Sequence, residues 1–477
     1  MLRNDLRVLH TINGALPIYS IESSQSGEFY VQYGISNKAI DVYDRNYDWS
    51  HSIHSEVYLS DFYYTEYEGK YQGNPLETAI TPDGNYIWVC SPAISGDGFH
   101  NPGSPGCVSG GNYDPGFVFK ISTKTYLIES AIEVGSYPTN LCLSQDGKYL
   151  MVANWCSEDV SVIDTEIEEE KFRLNLGKFP RGLAIHSNGL KGYVSLMGDH
   201  RIMEVDLIRG KSKFFIFPGR TPRELVLGPS DKYLYACYPK EGNIRKINLE
   251  TLRVVDKLET GRDPYSMQLS EDGNFLYVIH RKGQTLCKIR TDELSVIQCV
   301  SLDGRPEGIA LDHTTSQIWV SFFEGDIKIF QDDQDTPVQT YSDNPFTSAR
   351  DGEDSLEEEE YTLDEEEMAI AEESIPLIEE QVETYSYEGT PDEPVEEEVS
   401  QNYSIYHVIV GSFRSMETAE QKRKEFSRKG AIYAKIIPTG TGFYRLSYKG
   451  YASMEEAEAA LEVVQQSFKT DAWIFEE

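Results

Sequence analysis

A repeat of 42 residues runs through residues 135–330 of this chain of 477 residues. Prolines recur at that step, at Pro138, Pro180, Pro222, Pro264 and Pro306. Each unit reads as a short strand after the proline, a turn such as "QDG", a second strand, a variable loop and two more strands. Four short strands in about forty residues are typical of one blade of a β-propeller. The repeat therefore predicts an all-β propeller.

Two earlier units begin at Pro17 and Pro75, which makes seven. The last unit has only three strands before the repeat ends, and residues 6–14 resemble the fourth strand of a unit. We therefore predict that the N-terminal strand completes the seventh blade and closes the ring. The pattern over residues 5–331 resembles the YVTN-type seven-bladed propeller family, and the predicted domain spans residues 1–331.

Insertions lengthen the first two units, near residues 57–74 and at residues 91–116. The first insertion is rich in tyrosine and the second in glycine and proline. Both loop classes leave a propeller on the same face, so we predict that the two insertions lie on one rim. Long loops on a rigid scaffold are frequent binding sites, although these insertions could also simply cap the ring.

The residues that follow the repeated prolines are predicted to line the mouth of the central channel. They are Thr139, Arg181, Arg223, Tyr265 and Glu307. Arg181 and Arg223, on neighbouring blades, could hold a carboxylate or a phosphate. They could equally pair with Glu224 or Glu307, and the sequence leaves this choice open.

Nothing in the sequence indicates catalysis. The nine histidines lack the spaced partners of a metal site or a catalytic triad, and no phosphate-binding loop is visible. We therefore predict a non-enzymatic protein without catalytic residues, a metal site or a cofactor. A lactonase-like propeller enzyme is the alternative, because some seven-bladed relatives are lactonases.

The seven cysteines are odd in number, scattered, and never spaced as CxxC. This pattern predicts buried thiols and argues against a disulfide framework and against a zinc site.

Residues 332–401 hold 26 of the 79 Asp and Glu residues and only one basic residue, Arg350. Charge of one sign at this density opposes collapse, so we predict a disordered acidic linker. Within it, residues 368–382 interleave apolar and acidic residues and could fold on a basic partner. The net charge of −36 also argues against nucleic acid as a partner.

The end of the chain, residues 402–477, has its own pattern and predicts a small α+β domain of order βαββαβ. The predicted elements are a strand at 405–410, a helix at 415–430, strands at 431–438 and 443–450, a helix at 453–468 and a strand at 471–475. A capping box of Ser453 and Glu456 opens the second helix.

This order, with "GSF" at 411–413, the strand "FYRLS" and the helix start "YASMEEAEAAL", resembles the SPOR domain. The resemblance covers residues 403–477. It implies binding to peptidoglycan glycan strands, especially those stripped of stem peptides, in the bacterial cell envelope. It places Gly411, Ser412, Phe413 and Arg445 at family positions.

Period-two alternation predicts one open face on the small sheet. The side chains predicted on it are His407, Ile409, Phe443, Arg445, Ser447 and Trp473, and with Ser412 from the resemblance they are the predicted glycan-binding residues. Aromatic faces accept the apolar side of a sugar ring, while Arg and Ser bind its hydroxyls. Ile409 departs from the glutamine that the family often has, so protein binding is an alternative. RNA-recognition modules share the βαββαβ order, but ten basic against ten acidic residues in 402–477 argue against RNA.

The predicted function is therefore that of a bacterial envelope protein that binds glycan strands and offers its propeller to an unknown protein partner on the rim. No apolar run is long enough to span a membrane, and the start as written shows no signal peptide. The SPOR resemblance predicts a cell-envelope or periplasmic location, whereas a complete chain as written predicts the cytoplasm. An intracellular interaction scaffold is accordingly the second interpretation.

Overall fold

The computed structural model describes residues 6–34, 37–216, 218–332, 406–427, 435–438, 444–451, 454, 457–458, 461 and 473–476. The chain divides into two units, Met1–Ile378 and Glu379–Glu477. Asp332, the first residue of the predicted linker, instead ends the strand Ile327–Asp332 of the first unit. The rest of the predicted linker, with its segment 368–382, lies outside the described residues.

Seven four-stranded antiparallel sheets, which we number as blades, make up the described part of the first unit. Blade 1 contains β2 (Ser20–Ser23), β3 (Glu28–Gln32), β4 (Ala39–Asp44) and β5 (Trp49–His54). Blade 2 contains β8 (Glu77–Ile80), β9 (Tyr86–Ser91), β11 (Phe117–Ser122) and β12 (Ile128–Glu133). Blade 3 contains β13 (Pro138–Leu143), β14 (Tyr149–Asn154), β15 (Asp159–Asp164) and β16 (Glu169–Asn175). Blade 4 contains β17 (Pro180–Ile185), β18 (Lys191–Leu196), β19 (Arg201–Asp206) and β20 (Lys211–Ile216).

Blade 5 contains β21 (Leu225–Leu227), β22 (Tyr233–Tyr238), β23 (Asn243–Asn248) and β24 (Arg253–Glu259). Blade 6 contains β25 (Pro264–Leu269), β26 (Phe275–His280), β27 (Thr285–Arg290) and β28 (Ser295–Ser301). Blade 7 contains β29 (Pro306–Asp312), β30 (Gln317–Phe322), β31 (Ile327–Asp332) and β1 (Leu6–Ile12).

The blades form a closed ring. The innermost strands contact one another in the order β2, β8, β13, β17, β21, β25, β29 and back to β2. In blade 7 the N-terminal strand β1 runs antiparallel to β31, with Leu6 opposite Asp332. The predicted all-β propeller fold is confirmed, and the YVTN-type assignment stays a prediction.

The hydrophobic core lies between the blades. All six residues of β14 are buried, because side chains on both faces of this strand pack against a neighbouring blade. Between blades 3 and 4, for example, Met151 and Val162 cluster with Val194 and Val205. Each sheet is therefore apolar on both sides, as expected for stacked blades.

The two insertions form one small sheet. It contains β6 (Glu56–Val57), β7 (Tyr71–Gly73) and β10 (Ile94–Ser95), and Gly73 of the first insertion lies opposite Ile94 of the second. A 3₁₀ helix, Leu59–Phe62, precedes β7. The two insertions therefore pair with each other, and their position on one rim of the propeller stays a prediction.

The prediction that the cysteines are all thiols is wrong. Cys107 is bonded to Cys156, and Cys287 is bonded to Cys299 across β27 and β28. Cys90, Cys142 and Cys237 are free. The first bond joins residues 49 positions apart, which come together only because the second insertion folds onto blade 3.

The second unit contains a sheet in the order β33 (Lys435–Pro438), β34 (Tyr444–Tyr451), β32 (Tyr406–Phe413) and β35 (Trp473–Glu476). Helix α1 spans Met416–Ser427, and the Ser415 hydroxyl accepts a hydrogen bond from the Thr418 N–H at its start. Residues 454, 457, 458 and 461 are helical. Strand β32 continues through "GSF", three residues past the predicted end of this strand at residue 410.

Candidate functional sites: the channel mouth and the C-terminal sheet

A β-bulge opens the innermost strand of four blades. The register with the second strand shifts directly after the repeated proline in β13, β17, β25 and β29. The predicted mouth residues inside these shifts are Thr139, Arg181, Tyr265 and Glu307. A bulge adds a residue and re-aims its side chain, so the repeat itself presents these groups at the mouth. In blade 5, Arg223 precedes β21 and its N–H donates to the Cys237 carbonyl at 3.0 Å.

The backbone just before the repeated prolines is strained. Four of these residues have positive φ: Tyr137 at 55°, Phe179 at 57°, Thr221 at 50° and Asp263 at 62°. The left-handed conformation is costly for residues with a side chain, and a following proline restricts it further. The turn into each of these blades therefore stores strain at the channel mouth.

Arg181 is held by an acidic partner that the sequence analysis did not identify. Its Nη2 lies 3.4 Å from Glu77 Oε1, and its Nη1 donates to the Thr139 carbonyl. The Ser20 hydroxyl donates to the other oxygen of Glu77 at 2.6 Å. This arrangement links blades 1 to 4, and it favours pairing within the protein over the alternative of an open anion site at Arg181.

Arg223 belongs to a stack of guanidinium and aromatic groups. It lies 3.6 Å from the ring centre of Tyr265, and Arg281 lies 4.7 Å from the same ring. The Arg281 and Arg305 Nε atoms contact Glu307 Oε1 at 3.0 and 2.6 Å. The mouth therefore holds two groups of contacts. Arg181 bonds to Glu77 and to the Thr139 carbonyl, while Arg223 and Tyr265 belong to a chain of cation–π contacts and ion pairs that ends at Glu307.

Arg281 and Arg305 were missed by the sequence analysis, and a signal for Arg281 was present. Trp155, Met197, Arg281 and Phe323 also follow the 42-residue step, with Pro239 between them. They come directly after the second strand of each blade. The repeat position directly after the second strand therefore predicts Arg281 as a mouth residue. Glu77 could not be found in this way, because it lies two residues after Pro75 and the other mouth residues directly follow their prolines.

Below the mouth, the channel encloses a cavity of about 310 Å³. Its lining includes Glu22, Glu77 and Glu224 beside the polar side chains of Asn140 and Gln268. Burial raises the pKa of Glu22 to about 7 and the pKa of Glu224 to about 7. Burial also raises the pKa of Glu77, against the lowering effect of Arg181. The channel therefore gains negative charge as the pH rises through neutrality.

On the C-terminal sheet, three of the predicted glycan-binding side chains are not exposed. His407, Ile409 and Ser447 are each 0% exposed, and His407 Nδ1 lies 3.2 Å from the Ser447 hydroxyl. The prediction that they face solvent is wrong. Val408 and Val410 are buried as well, so both faces of β32 are covered, whereas the prediction assumed that one face is open.

Two of the predicted residues do remain accessible. Ser412 is exposed and Arg445 is half-buried, and the two lie opposite each other on β32 and β34. On the other side of Arg445, half-buried Ile437 of the edge strand β33 is its register partner. Phe443 and the side chain of Trp473 lie outside the described residues. The accessible part of the face is therefore centred on Arg445.

In the part of the chain that the structure describes, no helix has the length and apolar character needed to cross a membrane. No curated protein sequence matches the chain.

Among solved structures, the first unit resembles propeller-like folds. A chain of hydrazine synthase from Kuenenia stuttgartiensis has 16% identity and a TM-score of 0.51, over 67% of this chain and 96% of that chain. A chain of a mitotic checkpoint complex has 14% identity and a TM-score of 0.53, over 68% and 91%. These identities show the fold alone. The family model of the SPOR domain matches residues 402–476, and this match identifies the C-terminal part of the chain as a SPOR domain.

Proposed function

We propose that this chain is a bacterial cell-envelope protein whose SPOR domain binds peptidoglycan glycan strands. The observation that carries the proposal is the SPOR match over residues 402–476. The chemistry of the accessible face supports it, because Arg445 and Ser412 are register partners on adjacent strands and both are accessible. Such a pair can donate hydrogen bonds to the hydroxyl and acetamido oxygens of a sugar chain.

The disulfides support the envelope location. Disulfides persist in oxidising compartments and are rare in the cytoplasm, where reductants keep thiols reduced. Cys107–Cys156 and Cys287–Cys299 therefore favour an exported protein over an intracellular scaffold.

The propeller is proposed to be a binding platform and not a catalyst. The charged groups at its mouth hold one another: Arg181 pairs with Glu77, and Glu307 accepts bonds from Arg281 and Arg305. Charged groups that are paired within the protein stabilise a rigid scaffold and are not available to act on a substrate. The joined insertions on the rim then supply the larger surface for a protein partner.

The test is co-sedimentation of the full chain with purified sacculi, either intact or treated with an amidase that removes stem peptides. We expect stronger binding to the treated sacculi. Arg445→Ala should weaken that binding by about tenfold or more, since hydrogen bonds from a charged group contribute about 1.5–3 kcal/mol. Arg423→Ala is the matched control, because Arg423 lies on helix α1.

Failure to sediment with either material would overturn the glycan proposal. Equal losses in Arg445→Ala and Arg423→Ala would also count against it, because binding would then follow general charge and not the sheet face.

A further inference from the structure

The charge of the propeller is unevenly distributed around the ring. Residues 178–262, which contain blades 4 and 5, hold sixteen Lys and Arg residues and nine Asp and Glu residues. The remainder of residues 1–332 holds sixteen basic and thirty-five acidic residues. One sector of an otherwise acidic propeller is therefore basic.

The strands β20 and β24 are the outermost strands of the neighbouring blades 4 and 5, and we call the surface between them the groove. Both strands are edge strands of their sheets. Lys211 and Lys213 share a side of β20 with Phe215, which belongs to the core cluster between the two blades. On the opposite wall, Val254 pairs in register with Ile247 of the same cluster, so the lysines and Val254 face one groove.

The walls of the groove are accessible and of mixed character. Val254 is 37% exposed, and Val255, which follows it at the β-bulge of β24, is 51% exposed, although both are large apolar residues. The Lys213 side chain is 63% exposed and pairs with Glu204 at 3.0 Å, and Lys257 is 41% exposed and pairs with Glu259 at 2.8 Å. The Lys257–Glu259 pair is accessible on both sides, and such pairs contribute little to stability, so another carboxylate can replace Glu259. Glu204 is buried but also pairs with Lys191 at 3.5 Å, so it keeps a cationic partner if Lys213 turns to another carboxylate.

We propose that this groove docks residues 351–378 of the same chain. That segment holds thirteen Asp and Glu residues and no basic residue, so its charge complements the groove. It also contains apolar residues, among them Met368, Ile370 and Leu377, which match the exposed valines. Edge strands offer backbone groups and alternating side-chain positions to an added segment.

The connection makes the docking intramolecular. Residue 351 follows Asp332, the last residue of blade 7, by 19 residues, so the connection can extend to about 60 Å at most. A tether of this kind raises the effective concentration of the segment around the propeller. An anionic lipid surface is a poorer match, since the net charge of −36 repels it.

The test is zero-length carbodiimide cross-linking of the full chain, followed by peptide mapping. We expect links from Lys211, Lys213 and Lys257 to carboxylates in 351–378, with a yield that falls severalfold in 0.5 M salt, roughly as screening at a Debye length of about 4–5 Å predicts. Val255→Glu should lower the yield severalfold while the lysines remain in place. Val8→Glu is the matched control, because Val8 is 55% exposed on the outer strand of blade 7.

Three results would overturn the proposal. The first is cross-links spread evenly over exposed lysines outside the groove, such as Lys148, or concentrated on the SPOR domain. The second is links that form equally between isotopically labelled and unlabelled chains, which would assign the groove to a second copy. The third is flotation with phosphatidylglycerol vesicles that Val255→Glu abolishes, which would assign it to a lipid surface.

Discussion

Leu6 and Asp332 lie opposite each other on the antiparallel strands β1 and β31, so the first and last strands of the propeller close the same blade. The Leu6 side chain is 1% exposed and packs in a cluster with Tyr277, Ile318 and Phe330. The closure therefore depends on apolar packing as well as on backbone hydrogen bonds.

Leu6→Ala should lower the free energy of unfolding of the propeller by about 2–5 kcal/mol, because it leaves a cavity in this cluster. Urea denaturation followed by tryptophan fluorescence measures the change. Val8→Ala on the same strand is the control, and it should stay within about 0.5 kcal/mol since Val8 is 55% exposed. Equal effects of the two variants would mean that β1 does not close the ring as described.

The disulfides predict a thiol count. The denatured, unreduced protein should react with three equivalents of a thiol reagent, from Cys90, Cys142 and Cys237, and with seven after reduction. Cys107→Ser with Cys156→Ser should lower the free energy of unfolding by about 2–4 kcal/mol, because the bond restricts the unfolded chain. A count of seven without reduction would contradict both bonds.

Glu307→Gln should destabilise the channel mouth. The Glu307 side chain is 3% exposed and accepts bonds from Arg281 and Arg305, so neutralising it leaves two poorly exposed guanidinium groups without this charge. Breaking a buried pair in this way costs about 3–5 kcal/mol. Glu166→Gln is the control, since Glu166 is 71% exposed at 3.9 Å from Lys148 and its pair contributes about 0–1 kcal/mol. Urea denaturation of both variants gives the comparison.

The channel carboxylates predict a pH dependence. Burial raises the pKa values of Glu22 and Glu224 from 4.5 to about 7, so the folded state binds their protons more tightly than the unfolded state. This stabilisation is complete below pH 4.5 and is lost as the pH rises through 7.

Glu22→Gln with Glu224→Gln removes this titration. Relative to that variant, the wild type should therefore lose stability between pH 5 and pH 8 in urea denaturation. Parallel curves for the two proteins would show that these carboxyls titrate at ordinary values.

The repeat made the propeller predictable, because a 42-residue step fixes strand order, turn positions and the inward residues of each blade together. The predicted strand after Pro138 is observed as Pro138–Leu143, and the equivalent strand after Pro264 as Pro264–Leu269. The structure of the insertions and the disulfide bonds could not be predicted from the repeat. The pairing of Cys107 with Cys156 depends on how one insertion folds over the next blade, which no spacing encodes.

The channel and the C-terminal sheet show a second limit. Alternation predicted that His407 and Ser447 lie on the same face of the sheet, and the two side chains do contact each other. Alternation does not predict whether that face is covered, since coverage depends on what packs against the sheet. Likewise, Arg181 was located at the mouth, but its partner Glu77 comes from a blade whose spacing an insertion had altered.

The closure of blade 7 also decides how the propeller would bear a mechanical load. Tension transmitted along the chain from residue 333 onward enters the propeller at Asp332, the end of β31. That strand is bonded on both sides, to β30 and β1, so a pull along its axis shears two rows of hydrogen bonds at once. Asp332 is also gripped by Lys288 at 2.8 Å and by the Tyr277 hydroxyl, both from blade 6. A force applied at Asp332 is therefore shared between blade 7, through the strand pairing of β31, and blade 6, through Lys288 and Tyr277.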